Sequence, residues 1–461
     1  MPAEHLDNPP TSHDIQRADA GQRDMTRDAH QRTLWAQFIN LTLGVWLMAS
    51  PVTLGYTERA MIWNDLIAGA LVIVFSAMSL SYRRRWAQWA NVAVGLWLLF
   101  APLVFWTTSA AAYANDTLIG AFVIGFAVLV AEMPGMSMQA MMTGPDMPRG
   151  WSYTPSTWIQ RLPIIALAFF GFFIARYLTA FQLGHIPAVW DPFFKDGTAR
   201  VITSDVSKMW PIPDAGLGAV SYMIEALSGL MGDKRRWRTM PWMVALFGIM
   251  VVPLGVVSIV FIIIQPIVIG TWCTLCLIAA AAMVIMIPYS LDEIIAMVQF
   301  MRQNQKNGKP FWRTFWQGGT LPEDNPDRVP GLDAPLRTTM REIWLGGVNY
   351  PWTLVAATAI GVWLMFTRVI FGTEGAMANS DHLVGSLVVT FTVMAMAEVA
   401  RPVRFINFAF GAWLIVAPWI LSGASSAAAW GSVVAGLLLI ALSIPRGKVT
   451  QRYGGWNRYI V

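Results

Sequence analysis

From about residue 35 onward the chain is a succession of long apolar runs separated by short polar segments. The runs fall at about 35–51, 64–81, 90–106, 117–132, 158–181, 216–232, 241–264 and 267–290. Four more follow at about 351–371, 382–399, 404–421 and 430–444. Each approaches the roughly 20 apolar residues that carry a helix across a hydrocarbon core. They are unbroken rather than alternating, which argues against strands and against a membrane barrel. The pattern predicts an all-α fold: a polytopic integral membrane protein with about 12 transmembrane helices in three four-helix blocks.

Composition agrees with a bilayer as solvent. Charged residues make up 13% of the 461 and apolar residues 56%, against about 25% and 45–50% in soluble domains. Mean hydropathy is +0.50. The net charge of +5 then speaks to topology, because basic residues in short loops mark the cytoplasmic side. One set of connections carries Arg83–Arg85, Lys234–Arg236 with Arg238, Arg401 with Arg404, and the basic residues of 291–350 and 446–461. The opposite loops hold Arg59, Lys195, Arg200 and Lys208. Both termini are therefore expected in the cytoplasm of a bacterial cell with the protein in its inner membrane. Residues 1–34 are polar and lack the apolar core of a signal peptide, so a disordered cytoplasmic tail is expected there. The expected surroundings are membrane lipid, with no nucleic-acid partner.

An internal repeat organises both ends. Gly44-Val45-Trp46-Leu47 recurs about 51 residues later as Gly95-Leu96-Trp97-Leu98, and Asn64-Asp65 recurs as Asn115-Asp116. Near the C-terminus Gly361-Val362-Trp363-Leu364 recurs as Gly411-Ala412-Trp413-Leu414. Each motif runs into Ser50-Pro51-Val52, Ala101-Pro102-Leu103, Thr367-Arg368-Val369 or Ala417-Pro418-Trp419, and the next helix carries Gly69, Gly120, Gly385 or Gly436. Small residues let helix backbones approach in lipid, where no hydrophobic drive pulls helices together. These features resemble the SPW-repeat family of small membrane modules over about 35–132 and 350–445. The motif is degenerate, since no copy spells Ser-Pro-Trp and the third has lost its Pro. The resemblance implies membrane architecture and little chemistry. Asn64, Asp65, Asn115, Asp116 and Asp381 are expected to cap the outer helix starts, and Glu132 and Glu398 to lie at the inner interface.

The middle of the chain differs. A long outer loop, about 182–215, holds His185, Trp190, Asp191, Ser204, Asp205 and Trp210, and the fourth helix of the block opens with Thr271-Trp272-Cys273-Thr274-Leu275-Cys276. Cys273 and Cys276 are the two cysteines of the chain. Their i, i+3 spacing puts both sulfurs on one helix face, just below the outer surface, where disulfides persist. Two thiols so placed can exchange two electrons by closing a small ring. A helix start favours the thiolate of the first cysteine, which makes Cys273 the expected nucleophile. A zinc site needs four ligands; with two Cys and five His in the chain, no metal is expected. Inert packing of the two cysteines remains a second reading. Arg176 and Glu225 lie within apolar runs and are expected to pair with each other or else to face the cavity.

Four helices, a long outer loop and Cys-x-x-Cys opening the fourth helix resemble the vitamin K epoxide reductase family, over about 155–295. The loop string Thr203-Ser204-Asp205-Val206-Ser207, followed by Ile212-Pro213-Asp214-Ala215-Gly216-Leu217-Gly218, is similar to the family's Ser and Ile-Pro-Asn-x-x-x-Gly. The resemblance implies thiol–quinone exchange, with ubiquinone or menaquinone as substrate. It makes Cys273 the exchange thiol, Cys276 the quinone-facing one, and Ser204 and Asp214 the quinone-binding residues. Asp214 replaces an Asn, and a carboxylate cannot donate as an amide does. The family's loop cysteines, which relay electrons from a thioredoxin-like partner, are absent here. Either a periplasmic thioredoxin-like protein or a small thiol then meets Cys273 directly, or the domain has lost that relay activity.

The expected domains are the tail 1–34, an SPW-like four-helix module 35–134, a vitamin K epoxide reductase-like bundle 155–297, a cytoplasmic linker 298–345, a second SPW-like module 346–445 and a tail 446–461. The leading functional expectation is a membrane thiol–quinone oxidoreductase. The alternatives are a non-catalytic membrane scaffold that retains the fold, and a transporter, which twelve spans with paired repeats would suit.

Overall fold

The computed structural model describes residues 12–129, 144–320, 337 and 346–460. No strand occurs among them, and their long elements are twelve helices. The first four are α1 (Ser12–Leu54), α2 (Arg59–Ser79), α3 (Ala87–Val104) and α4 (Ala110–Leu129). The middle four are α5 (Trp158–Gln182), α6 (Asp214–Leu230), α7 (Pro241–Ile264) and α8 (Thr274–Lys306). The last four are α9 (Trp352–Met365), α10 (Gly375–Met394), α11 (Ile406–Ile420) and α12 (Ser426–Ser443). Among the described residues nine helices are long and apolar enough to cross a membrane. The other three are α6, of 17 residues, α9, of 14, and α10, whose first half carries Asn379, Ser380, Asp381 and His382. The chain is a multi-pass, all-α membrane protein.

It forms two compact units, one built on α1–α4 and one on α5–α12. In the first, the repeated glycines bring backbones into contact. A Cβ on Gly44 would lie 2.8 Å from the Gly69 carbonyl oxygen, and one on Gly95 would lie 2.8 Å from that of Gly120. Any larger side chain at these places would push α1 from α2 or α3 from α4. Leu47, Ala68, Val72, Leu98, Ile119 and Val123 fill the space around the two crossings.

The polar pairs do not cap. Helix α2 begins at Arg59 and α4 at Ala110, so Asn64, Asp65, Asn115 and Asp116 fall in the second turn and are buried. The apolar runs start later than the helices do, and that difference misled the capping expectation. Trp46 donates its indole N–H to Asn115 at 2.9 Å, and Trp97 donates to Asn64 at 2.7 Å. Asn64 in turn donates to Asp65 and Asp116, both at 3.1 Å, and Asn115 to Ser50 at 3.1 Å. Ser50 and Tyr56 donate to Asp65. Each repeat thus supplies the acceptor for the other repeat's Trp.

In the second unit α5 packs along α6 and α8, and α7 along α8. The end of this bundle where α6 closes is held by a buried ion pair, Arg236 to Glu293 at 2.6 Å, with Ser156 donating to the same carboxylate. Arg161 caps the end of α6 by donating to the carbonyls of Gly229, Met231 and Gly232. The C-terminal repeats follow the same rules as the first pair. Gly361 meets Gly385 and Gly411 meets Gly436, each hypothetical Cβ lying 3.0 Å or less from the facing carbonyl oxygen. Asp381 again lies in a second turn rather than at a cap, accepting from Thr367 at 2.9 Å and Ser432 at 3.4 Å.

Glu398 is buried rather than interfacial. Its carboxylate accepts from Asn349, the backbone N–H and hydroxyl of Thr450, the N–H of Gln451 and the Tyr453 hydroxyl, at 2.6–2.9 Å. That set ties the chain after α12 down onto the bundle, where Tyr453 is fully buried against Trp151. Glu132, expected at the inner interface, lies outside the described residues.

Candidate active site

The end of α7 and the start of α8 are joined by a tight irregular turn. One π turn, Gln265–Ile269, widens and underwinds the chain, and Gly270 then takes φ +80°, a left-handed conformation open to glycine without penalty. Cys273 follows as the N-cap of α8, its sulfur accepting from the Cys276 N–H at 3.0 Å. The two cysteines form a disulfide with Cα atoms 5.2 Å apart. The Cys273 N–H donates to the side-chain oxygen of Gln265 at 2.9 Å, and Gln265 is buried. This amide was missed at the sequence level. Its signal is a glutamine followed by Pro266 inside an otherwise apolar run.

The two sulfurs face different surroundings. Cys273 is 0% exposed, packed beneath Leu178, Val201, Ile202 and Leu275. Cys276 is half-buried and lines a cavity of about 360 Å³ bounded by α5, α6, α7, α8 and the loop between α5 and α6. The volume is within the range of small-molecule sites. Its wall is mostly apolar, including Phe261, Ile262, Leu254 and Met283, with Ser204, Ser207, Asp214 and Gln265 among its polar points.

Ser204 and Asp214 are brought to this same cavity. Ser204 caps the short helix Asp205–Lys208, accepting from the Ser207 N–H at 3.4 Å and donating to the Val201 carbonyl at 2.7 Å. Asp214 opens α6, and one of its oxygens accepts from Gln182 at 2.5 Å, Ser207 at 2.8 Å and the Ala215 N–H at 2.9 Å. These donors suit a carboxylate where the family motif has an amide. Tyr222 also lines the cavity, its hydroxyl donating to the Ala279 carbonyl at 2.8 Å.

The loop between α5 and α6 is latched over Cys273. Asp191 accepts from the N–H groups of Phe194 and Thr198, the Thr198 hydroxyl, and the hydroxyl of Thr274, the residue after Cys273, at 2.5–2.9 Å. Burial raises the Asp191 pKa, but the bonds from Thr198, Thr274 and the Phe194 N–H outweigh it and bring it from 3.8 down to about 2. Gly197 sits so close to this turn that a Cβ would lie 2.2 Å from the Trp272 carbonyl oxygen. Val201 and Ile202, a few residues on, complete the cover of Cys273.

The expected pairing of Arg176 with Glu225 is not found. Glu225 is fully buried on α6, and neither carboxyl oxygen has a hydrogen-bond partner. The apolar run gives the depth of a residue but not its rotation about the helix axis, and rotation decides the partner.

Four helices around an apolar cavity, entered by one sulfur of a Cys-x-x-Cys disulfide, define a membrane protein with a thiol–disulfide site. Residues 162–291 match the model of the vitamin K epoxide reductase family, and residues 34–130 and 351–445 match the SPW repeat domain. No curated protein and no solved structure matches the chain.

Proposed function

We propose that the protein exchanges electrons between thiols and a lipid quinone. The observation that carries this reading is Cys276 on the wall of a 360 Å³ apolar cavity, inside the segment that matches the vitamin K epoxide reductase family. The exchange balances as dithiol plus quinone giving disulfide plus hydroquinone, with two electrons and two protons passing between them. Cys276 is the quinone-facing sulfur and Cys273 the one that trades disulfides with a thioredoxin-like protein or a small thiol. Ser204 and Asp214, with Ser207 beside them, form the polar end that meets the quinone head, and the apolar wall takes the ring and the start of the tail. Ubiquinone and menaquinone both suit such a wall.

The membrane is the inner membrane of a bacterium, with both termini in the cytoplasm and the dithiol near the periplasmic face. The placement of basic residues supports this orientation. The six segments expected from the sequence, 1–34, 35–134, 155–297, 298–345, 346–445 and 446–461, remain our domain description.

A second reading, a membrane scaffold without turnover, is favoured by the complete burial of Cys273. Purified full-length protein supplied with dithiothreitol and a soluble quinone analogue separates the two. Quinone reduction that Cys276→Ala and Cys273→Ala abolish supports the redox reading. No reduction above background by the wild type supports the scaffold.

A further inference from the structure

The third copy of the repeat departs from the others where its first helix ends. Where Pro51, Pro102 and Pro418 stand in their copies, this one has Arg368. Its helix ends at Met365, and a short helix, Thr367–Ile370, follows. The guanidinium donates to the Pro266 carbonyl at 2.8 Å and to Asn379 at 2.6 Å. Pro266 lies in the π turn that leads to the disulfide, next to Gln265, which accepts the Cys273 N–H.

A second side chain of the same module reaches the same region. His382 is buried on α10, three residues before Gly385, where the other copies have Leu66, Thr117 and Val433. Its Nδ1 lies 3.0 Å from the Met365 carbonyl oxygen and its Nε2 3.0 Å from that of Ile262. Ile262 belongs to the last turn of α7 and lines the cavity. Trp272, which precedes Cys273, packs its ring against Phe366 and His382, with centroids 5.6 and 6.1 Å away. Met365, Phe366 and Val389 share one apolar cluster with Cys276, Leu277 and Ala280. Arg368 therefore ends on the Pro266 carbonyl of the α7–α8 connection, and His382 on the Ile262 carbonyl in the last turn of α7, just before it.

We propose that the C-terminal repeat module is a working part of the thiol site, with Arg368 and His382 as positioning residues that hold the α7–α8 turn and, through Gln265, the backbone of Cys273. Neither touches a sulfur. They set the conformation that the turn keeps when the disulfide opens and closes, so they bias the oxidised against the reduced pair. The proposal deepens the thiol–quinone reading and rests on it for its catalytic consequence.

The test uses the full-length protein equilibrated with dithiothreitol redox buffers, the oxidised fraction read by alkylation and gel shift. No quinone enters this measurement. Arg368→Ala and His382→Gln each shift the equilibrium constant of the pair roughly tenfold, about 30 mV for a two-electron couple. Arg368→Lys, which keeps the charge, recovers part of the shift, and Trp97→Phe in the N-terminal module leaves the constant unchanged. If Arg368→Ala does not yield monodisperse protein, Arg368→Gln takes its place. Wild-type constants in both the Arg368 and His382 variants, or an equal shift in Trp97→Phe, overturn the proposal. A shift in the constants with no quinone reduction by the wild type would remove the quinone reading and leave the positioning role standing.

Discussion

The indole N–H of Trp46 lies 2.9 Å from the side-chain oxygen of Asn115, a residue of the other repeat. The reciprocal bond, Trp97 to Asn64, is 2.7 Å long. A large aromatic face can thus meet lipid while its polar atom is satisfied inside the module. The C-terminal pair keeps half of this exchange. Trp413 donates to Ser380 at 2.8 Å, whereas the ring of Trp363 packs over Gly431, which offers no side-chain acceptor.

Removing the acceptor should cost more than removing the donor. Asn115→Ala strands the indole N–H of Trp46 and also takes a donor from Ser50, so it should destabilise the module by about 1–3 kcal/mol. Trp46→Phe should cost less, and the double variant less than the sum. Thermal unfolding of the four proteins in detergent measures the coupling, and strict additivity would count against the reciprocal bond.

The loop latch should be acid-sensitive. Asp191 has its pKa depressed from 3.8 to about 2, so its contribution is fully present above about 4 and is lost as pH falls toward 2. Reduction of the Cys273–Cys276 disulfide by a water-soluble phosphine should accelerate over that window. Asp191→Asn should show the fast rate already at neutral pH, roughly tenfold above wild type for the loss of charge-assisted bonds. A flat wild-type profile between pH 4 and 2 would falsify the latch.

Asp214 uses its side chain as an acceptor from Gln182, Ser207 and Ala215. An amide keeps one acceptor oxygen, so Asp214→Asn should leave quinone KM within a few-fold of wild type. Asp214→Ala should raise it roughly tenfold, because three donors lose their partner. Steady-state kinetics with a soluble quinone decides between these outcomes, and equal KM values in both variants would remove Asp214 from the site. Ser204→Ala, which uncaps the 205–208 helix beside the same cavity, should also raise KM.

The packing of α5–α8 depends on Arg236 and Glu293, both buried. Glu293→Ala leaves a guanidinium without its counter-charge and should cost about 3–5 kcal/mol. Chemical unfolding in detergent reads this directly. A loss under about 1 kcal/mol would mean that water or lipid headgroups reach Arg236 in solution.

The helical class and the pairing of repeats could be read from the chain because they depend on local composition: apolar length for spans, and Gly with Trp at fixed spacing for crossings. The pairing of Cys273 with Cys276 follows from four residues of one helix start. Capping by Asn64 and Asn115 was misread because a helix begins where its backbone turns, five residues before either asparagine. Glu398 was misread because its partners, Asn349, Thr450, Gln451 and Tyr453, are brought to it only when the chain after α12 folds back.

What the amino-acid sequence determined by itself was the solvent, the helices and the presence of a dithiol, since each rests on residues close together in the chain. Only the tertiary structure decided that Cys276 meets a cavity while Cys273 is sealed beneath Val201 and Ile202. Only it brought Ser204 and Asp214 to that cavity, and Arg368 and His382 to the turn behind it. The physical reason is rotation. An apolar span records how deep a side chain lies, and helix-to-helix packing chooses the direction in which it points.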